Sequence, residues 1–345
     1  MNIAMFETEE WERQASVRLE PHHRVRCVAE PLDSRNAAEF SDIEVASPFV
    51  NSRLDASVLA QFPRLKLVAT RSTGYDHIDL HYCTAHGIVV SNVPDYGDST
   101  VAEHVFALLL AVARNLVEAV ERTRRGRFRQ TGLRGFELRD RVIGVVGTGR
   151  IGLRVIEIAG GFGMNVLAFD LQPDEAAVAR LNFTYTSLEK LLSDCDVITL
   201  HVPATSGTHH MISDREFSRM KRGAILINTA RGNIVDVEAM VRALADGRLR
   251  AAGLDVLPHE PLIREEAAIF HHEAVRDAED FKALVANHVL LRFPNVIVTP
   301  HNAYNTDAAL QRIITTTLAN IEAFAKGTPQ NVVARIEGRA GCADR

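Results

Sequence analysis

The sequence predicts an α/β protein of two doubly wound parallel-sheet domains, one inserted into the other, and three observations predict it. Short apolar runs alternate with helical patterns along most of the chain, the mark of βαβ units. The glycine-rich turn "GVVGTGRIG" stands at 144–152, long after such units have begun. Two long helical stretches, 99–122 and 307–327, bracket a second series of strands. At 345 residues the chain also exceeds the size at which one hydrophobic core usually stops growing.

Taken in order, "NIAMF" (2–6), "RVRCVA" (24–29), "IEVAS" (43–47), "LKLVAT" (65–70) and "GIVVSN" (87–92) read as strands, enough for a small domain. "STVAEHVFALLLAVARNLVEAVER" (99–122) contains no Gly or Pro, can be capped by Ser99 and keeps its apolar residues at helical spacing. One unbroken helix crossing between the lobes is therefore expected. The second series comprises "RVIGVV" (141–146), "NVLAFD" (165–170), "DVITLHV" (196–202), "AILINT" (224–229), "AAGLDV" (251–256) and "NVIVTPH" (295–301). The last helix ends at Gly327 and Pro329, residues that commonly stop helices. The simplest path leaves lobe one near 98 and returns near 301, giving one domain of 1–98 plus 302–345 and an inserted domain of 99–301. Residues 1–98 are then half of an active site, with hinge closure expected near 95–100 and 300–304.

Composition narrows the function. A hydrophobic share of 46% and a charged share of 24% suit a soluble globular protein. A net charge of -5 offers no footprint for nucleic acid or an anionic membrane, and the basic run "ERTRRGRFR" (121–129) reads as a solvated helix end. "MNIAMFETEE" lacks the features of a signal peptide and no apolar stretch reaches membrane-span length, so a cytoplasmic protein is expected. Cys27, Cys83, Cys195 and Cys342 show no CxxC spacing and read as reduced packing residues. His271, His272 and Glu273 form the only metal-like group noted, and adjacent helical histidines point apart, so no metal is expected. The apolar stretch 99–122 also suits a homodimer interface.

Gly147, Gly149 and Gly152 form a GxGxxG turn that follows a strand and opens a helix, the context dinucleotide binding needs. The first glycine permits the tight turn, the second lets backbone approach a pyrophosphate, and the third lets helix and strand pack closely. Asp170 ends the next strand 18 residues after Gly152, where a carboxylate can bond ribose hydroxyls. Leu171 and Gln172 bring no cation for a 2′-phosphate, which favours NAD over NADP. Later strands end in His201-Val202-Pro203, Thr229-Ala230-Arg231-Gly232, Asp255 and Pro300-His301, where open α/β sheets bind ligands. The Arg231 fork suits a carboxylate or keto group. His301 suits proton exchange near neutrality, and reducing a ketone by hydride requires a proton. Glu260, in "DVLPHEP", is placed to orient that imidazole and favour its charged form.

"RSTGYDHIDL", "NVPDYGDSTVAEH", "GVVGTGRIG", "LHVP", "LINTARGNIVD", "GLDVLPHEP" and "FPNVIVTPHNAY", in this order, closely resemble the D-isomer-specific 2-hydroxyacid dehydrogenase family, above all its D-lactate members, over roughly 40–330. The resemblance implies a Rossmann NAD-binding domain inserted into a flavodoxin-like substrate and catalytic domain. It implies that Arg231, Glu260 and His301 are catalytic, with His301 the acid/base. It implies that amides around Thr73 and Gly74 hold the substrate carboxylate, and that Tyr96 and Tyr304 line the pocket. Arg150, Ile151, Asp170, Val202, Pro203, Thr208, Thr229, Ala230 and Asp255 would touch NAD, with His201 beside them and Asp255 bonding the carboxamide. D-selectivity likewise comes from the family. Pyruvate/D-lactate is the first substrate pair expected. 2-Hydroxyisocaproate, glyoxylate or hydroxypyruvate, and an NAD-sensing corepressor role, stay open. The 40-residue segment between Glu260 and His301 is longer than in many members.

Overall fold

Strands buried on both faces, and therefore apolar almost throughout, build both sheets of the computed structural model, which describes residues 1–258, 260 and 278–334. The chain divides into two units, Met1–Gly97 with Thr306–Arg345, and Asp98–Asn305. In the first, β1 (Asn2–Met5), β2 (Arg24–Cys27), β3 (Val45–Ser47), β4 (Leu67–Ala69) and β5 (Val89–Ser91) are joined by β13 (Val332–Ala334). The sheet order is β13-β5-β4-β3-β1-β2, parallel except where β13 runs antiparallel along β5.

The helix Asp307–Ala325, capped by the Thr306 side chain, covers one face of this sheet. Its Ile314, Leu318 and Ile321 pack on Ile3, Met5, Val45 and Leu67. Burial of that apolar stripe draws the end of the chain back to its beginning.

The second unit contains β6 (Val142–Val146), β7 (Asn165–Phe169), β8 (Thr184–Tyr185), β9 (Val197–Leu200), β10 (Ala224–Asn228), β11 (Leu249–Leu254) and β12 (Val296–Val298). All pair in parallel, in the order β12-β11-β10-β9-β6-β7-β8. Connections run outward in opposite directions from β6 and β9, and this switch point opens a ligand crevice at their carboxyl ends.

The single helix expected over 99–122 is in fact two, Asp98–Ala113 and Leu116–Arg124, bent by 62°. The break needs neither Gly nor Pro. Asn115 adopts the left-handed region (φ 48°), which asparagine tolerates, and its Nδ2 donates to the Arg134 carbonyl at 3.3 Å. The returning chain also donates Phe136 N–H to the Ala113 carbonyl at 3.1 Å. Val105, Phe106, Leu108 and Leu109 of the first helix lie in the core of this same unit. Its apolarity thus serves packing within the inserted unit, and the expectation of one unbroken helix is corrected. Among the described residues, no single helix is long and apolar enough to cross a membrane.

β8 and β13 were not expected. Cys83 and Cys195 are fully buried, and burial pushes both thiols up to about 12, as befits unreactive packing residues. Cys27 is half-buried. Cys342, His271, His272 and Glu273 lie outside the described residues.

The carboxyl end of the first sheet is tied together by two charged side chains. Arg71, fully buried after β4, donates through Nη2 to the carbonyls of Phe6 and Glu7 beyond β1. The Glu7 carboxylate in turn accepts the N–H groups of Phe49, Asn51 and Ser52 at 3.1, 3.0 and 2.9 Å, plus the Ser52 hydroxyl at 2.6 Å. Glu7 itself sits at φ 56°. Glu7→Ala strands these donors, and a loss of about 1–3 kcal/mol is expected, read as a lower denaturant midpoint at unchanged slope.

Candidate active site

The glycine turn follows β6 and opens the helix Arg150–Gly161. Gly147 has φ 94°, and a Cβ there would lie 2.6 Å from the His201 carbonyl oxygen. At Gly152 a Cβ would stand 2.0 Å from the Gly147 carbonyl oxygen. Gly149 differs, because a Cβ there would meet nothing within 4 Å. Two glycines are thus required by the protein's own packing, while the third borders open space where a pyrophosphate can approach.

Asp170, just past β7, accepts Thr148 N–H at 2.6 Å and Thr148 Oγ1 at 3.0 Å on one oxygen, and Gln172 N–H at 2.9 Å on the other. Burial pushes this carboxyl up, but the Gln172 and Thr148 hydrogen bonds outweigh it and hold it below the ordinary carboxylate range. It stays anionic beside an exposed Leu171. Arg150 pairs with Asp98 at 2.9 Å, and Ile151 is half-buried against the core.

After β9, the His201 backbone faces Gly147, and its Nε2 meets Thr199 Oγ1 at 2.9 Å. Burial lowers this imidazole to about 3, so it is neutral at any working pH. Val202 is half-buried and Pro203 exposed, and Thr208 Oγ1 donates to the Pro203 carbonyl at 2.6 Å, which folds the loop on itself.

At the end of β10 a buried asparagine shapes the next turn. Asn228 Oδ1 accepts Ala230 N–H at 3.0 Å and its Nδ2 donates to the Arg231 carbonyl at 2.9 Å. Thr229 Oγ1 is buried with no hydrogen-bond partner among the described residues, as suits an atom awaiting a ligand. Gly232 is needed for a different reason. A Cβ there would lie 2.1 Å from the Leu257 backbone, so only glycine lets the segment leading to Glu260 pass beside Arg231. Sequence reasoning assigned roles to neither Asn228 nor Gly232. The lone amide in "AILIN" was the available signal.

Glu260 and His301 come together as expected: Glu260 Oε2 lies 2.9 Å from His301 Nδ1, while Oε1 accepts Leu257 N–H at 3.1 Å. A carboxylate only accepts, so Nδ1 carries the hydrogen and Nε2 is the ring nitrogen turned away from Glu260. A cavity of about 250 Å³ adjoins the pair, walled by Leu257, Val298 and Pro300.

Asp255, expected to contact a carboxamide, follows β11 and borders the same cavity. Its side chain is only 1% exposed. One oxygen accepts Thr299 Oγ1 at 2.5 Å and Asn302 N–H at 3.0 Å, and the other accepts Ala303 N–H at 2.9 Å. His104 Nε2 stands 3.5 Å away and also bonds Thr299 Oγ1 at 3.0 Å. The carboxylate grips the loop that bears His301.

In the first unit, Thr73 and Gly74 follow β4. Among the described residues neither backbone N–H has a hydrogen-bond acceptor. Tyr96 is half-buried, and its carbonyl accepts Arg312 Nη2 at 2.8 Å. Tyr304 belongs to the second unit and is half-buried. Among the described residues no group of three or more His, Cys, Asp or Glu could hold a metal ion.

Residues 106–303 match the profile of the D-isomer specific 2-hydroxyacid dehydrogenase NAD binding domain. A D-lactate dehydrogenase of Curvularia clavata is 37% identical over 314 residues, covering 90% of this chain and 86% of that one. A glyoxylate reductase of Korarchaeum cryptofilum is 34% identical over 341 residues, covering 96% of each. The solved structure of D-lactate dehydrogenase from Aquifex aeolicus, complexed with NAD and lactic acid, superposes with a TM-score of 0.86 at 36% identity, covering 96% of this chain and 99% of that one. A chain with a switch-point crevice, a glycine turn and a carboxylate-bound histidine on one sheet is a dinucleotide-dependent oxidoreductase. This one belongs to the D-isomer specific 2-hydroxyacid dehydrogenase family, and its second unit is an NAD-binding Rossmann domain.

The glycines separate fold from cofactor. Gly152→Ala is expected to lower stability by about 1–3 kcal/mol, seen in thermal unfolding without ligand. Gly149→Ala is expected to melt with the parent and to bind NADH about tenfold more weakly in a fluorescence titration. Parent-like binding by Gly149→Ala would show that the pyrophosphate does not cross that glycine.

Proposed function

We propose that the protein reduces a small 2-keto acid to the D-2-hydroxy acid with NADH, reversibly, and that pyruvate and D-lactate are its preferred pair. The observation that carries this reading is the 2.9 Å contact between Glu260 and His301 Nδ1. When bound, NADH supplies the hydride. As the carbonyl carbon is reduced, the C=O electron pair moves to oxygen and His301 Nε2 delivers the proton that oxygen needs. Glu260 holds the ring in one tautomer throughout and faces it in the charged state that precedes transfer. In the oxidative direction Nε2 takes the hydroxyl proton back.

The remaining roles follow from chemistry. Arg231 binds and polarises the keto acid through its fork. The Thr73 and Gly74 amides hold the carboxylate, with Tyr96 and Tyr304 bounding the pocket. Gly147, Gly149, Arg150, Ile151, Gly152, His201, Val202, Pro203, Thr208, Thr229 and Ala230 form the cofactor surface, and Asp170 bonds the adenosine ribose. Asp255, which also holds the His301 loop, bonds the nicotinamide carboxamide. The first unit is accordingly the substrate domain and the second the cofactor domain. Relatives named for D-lactate and for glyoxylate support the substrate class.

NADH absorbance with pyruvate, 2-ketobutyrate, 2-ketoisocaproate, phenylpyruvate, glyoxylate and hydroxypyruvate tests the reading, with chirality checked on the product. Pyruvate is expected to give the highest kcat/KM and the D-product. His301→Gln is expected to lower kcat by about 10²–10⁴-fold while NADH still binds. A bulkier preferred acid would change the substrate and leave the mechanism standing. Absence of turnover with all six would sink the reading.

We also propose a homodimer. Leu116, Val117 and Val120 on the helix Leu116–Arg124 are exposed, and Phe128 beyond it is 77% exposed. Such a run of apolar side chains fits a second copy. Sedimentation at micromolar concentration is expected to give a dimer that Phe128→Glu weakens; a monomeric parent would refute it.

A further inference from the structure

We propose that Asn92, held in turn by Asn320, is a positioning residue that aims the Gly74 N–H at the substrate carboxylate. This rests on the reading of Thr73 and Gly74 as the carboxylate cradle.

Each carbonyl of the turn is taken by an inner donor. The Ser72 carbonyl accepts Val93 N–H at 3.0 Å, the Thr73 carbonyl accepts Asn92 Nδ2 at 2.8 Å, and the Gly74 carbonyl accepts Ser72 Oγ at 2.6 Å. In a planar trans peptide the C=O and N–H point in opposite directions. The bond from Val93 therefore orients the Thr73 N–H, and the bond from Asn92 orients the Gly74 N–H. Both N–H groups are turned away from the sheet interior, where they have no acceptor among the described residues.

Asn92 is buried and anchored at both of its backbone groups. Its N–H donates to the Asn331 carbonyl at 3.1 Å, and its own carbonyl accepts Asn320 Nδ2 at 2.9 Å. Asn320 is only 1% exposed, and its Oδ1 accepts Asn331 Nδ2 at 2.8 Å. Thr73 Oγ1 adds a bond to the Val93 carbonyl at 2.7 Å. An amide relay thus runs from the returning helix Asp307–Ala325, through Asn92, to one peptide of the cradle.

Asn320 shares that helix with Ile314, Leu318 and Ile321, which pack on the sheet. Buried amides are costly unless fully bonded, and an apolar side chain would fill such a position without that cost. What the amides add over a leucine is direction. They fix the plane of a peptide that substrate meets.

The test compares the parent with Asn92→Asp and Asn320→Asp, which keep size and lose the donor. Steady-state kinetics with pyruvate, calorimetric binding of oxamate to the NADH-loaded protein, NADH affinity and melting temperature are measured on each. The expected result is a rise of about tenfold or more in KM and in the oxamate Kd, with kcat within about threefold and NADH affinity unchanged. Asn320→Leu, which suits its apolar neighbours, is expected to show the same split at higher stability and replaces any variant that does not fold. Unchanged KM and oxamate binding in a folded variant would overturn the relay while leaving the cradle standing. A uniform fall in kcat, oxamate binding and NADH affinity that tracks melting temperature would reduce these residues to packing. A parent that neither turns over pyruvate nor binds oxamate would overturn the cradle itself.

Discussion

The grip of the Asp255 carboxylate on the loop after β12 is the interaction on which the active site depends. His301 sits at φ 53°, a region that costs a side-chain-bearing residue about 1–3 kcal/mol. The loop persists because donors converge from both sides. His301 N–H reaches the Asp255 carbonyl at 2.9 Å, while Asn302 and Ala303 N–H reach its carboxylate. Burial alone would push this carboxyl up, but hydrogen bonds from His104, Thr299, Ala303 and Asn302 hold it below the ordinary range. By linkage, a carboxyl lowered in the folded state stabilises the fold fully above its unfolded pKa, and the contribution is lost as pH falls through the folded value. The grip is therefore intact at neutral pH. It also joins the first helix of the inserted unit to its last strand, because His104 comes from the former and Thr299 from the latter.

Around that anchor the strand ends divide their work by backbone geometry. Asn228 closes a turn that presents Arg231, and Gly232 lets the chain carrying Glu260 pass beside it. Gly147 and Gly152 bring strand, helix and the His201 backbone into contact. None of these groups performs chemistry. Each sets where a neighbour's reactive atom or open amide lies, and proximity of that kind is a large part of what an active site supplies.

Most strands were legible because parallel sheets covered on both faces demand apolar runs, and "RVIGVV" or "AILINT" fit nothing else as well. The glycine turn and the meeting of Glu260 with His301 were legible from residue type and motif. The bend at Asn115 was not, since it depends on Arg134 and Phe136 returning to take up the loosened backbone groups. The hold of Asp255 on the His301 loop was equally hidden, for its donors include His104, 151 positions earlier in the chain, and Asn302 and Ala303, 47 and 48 positions later.

Those hidden features share one physical cause. Asn92, Asn320 and Asp255 are buried polar residues that bond backbone groups far away in sequence, whereas buried Asn228 closes a local turn. An apolar residue at position 92, 320 or 255 would pack, but packing is non-directional and leaves peptide planes free to rotate. Hydrogen bonds are directional, so a buried amide or carboxylate converts the rigidity of the core into the orientation of one peptide. A site that binds through backbone N–H groups needs that conversion, because the groups it presents have no rotamers of their own to adjust. On the proposed reading of Thr73 and Gly74 as a carboxylate cradle, the polar residues buried beneath it and beneath the His301 loop aim those groups.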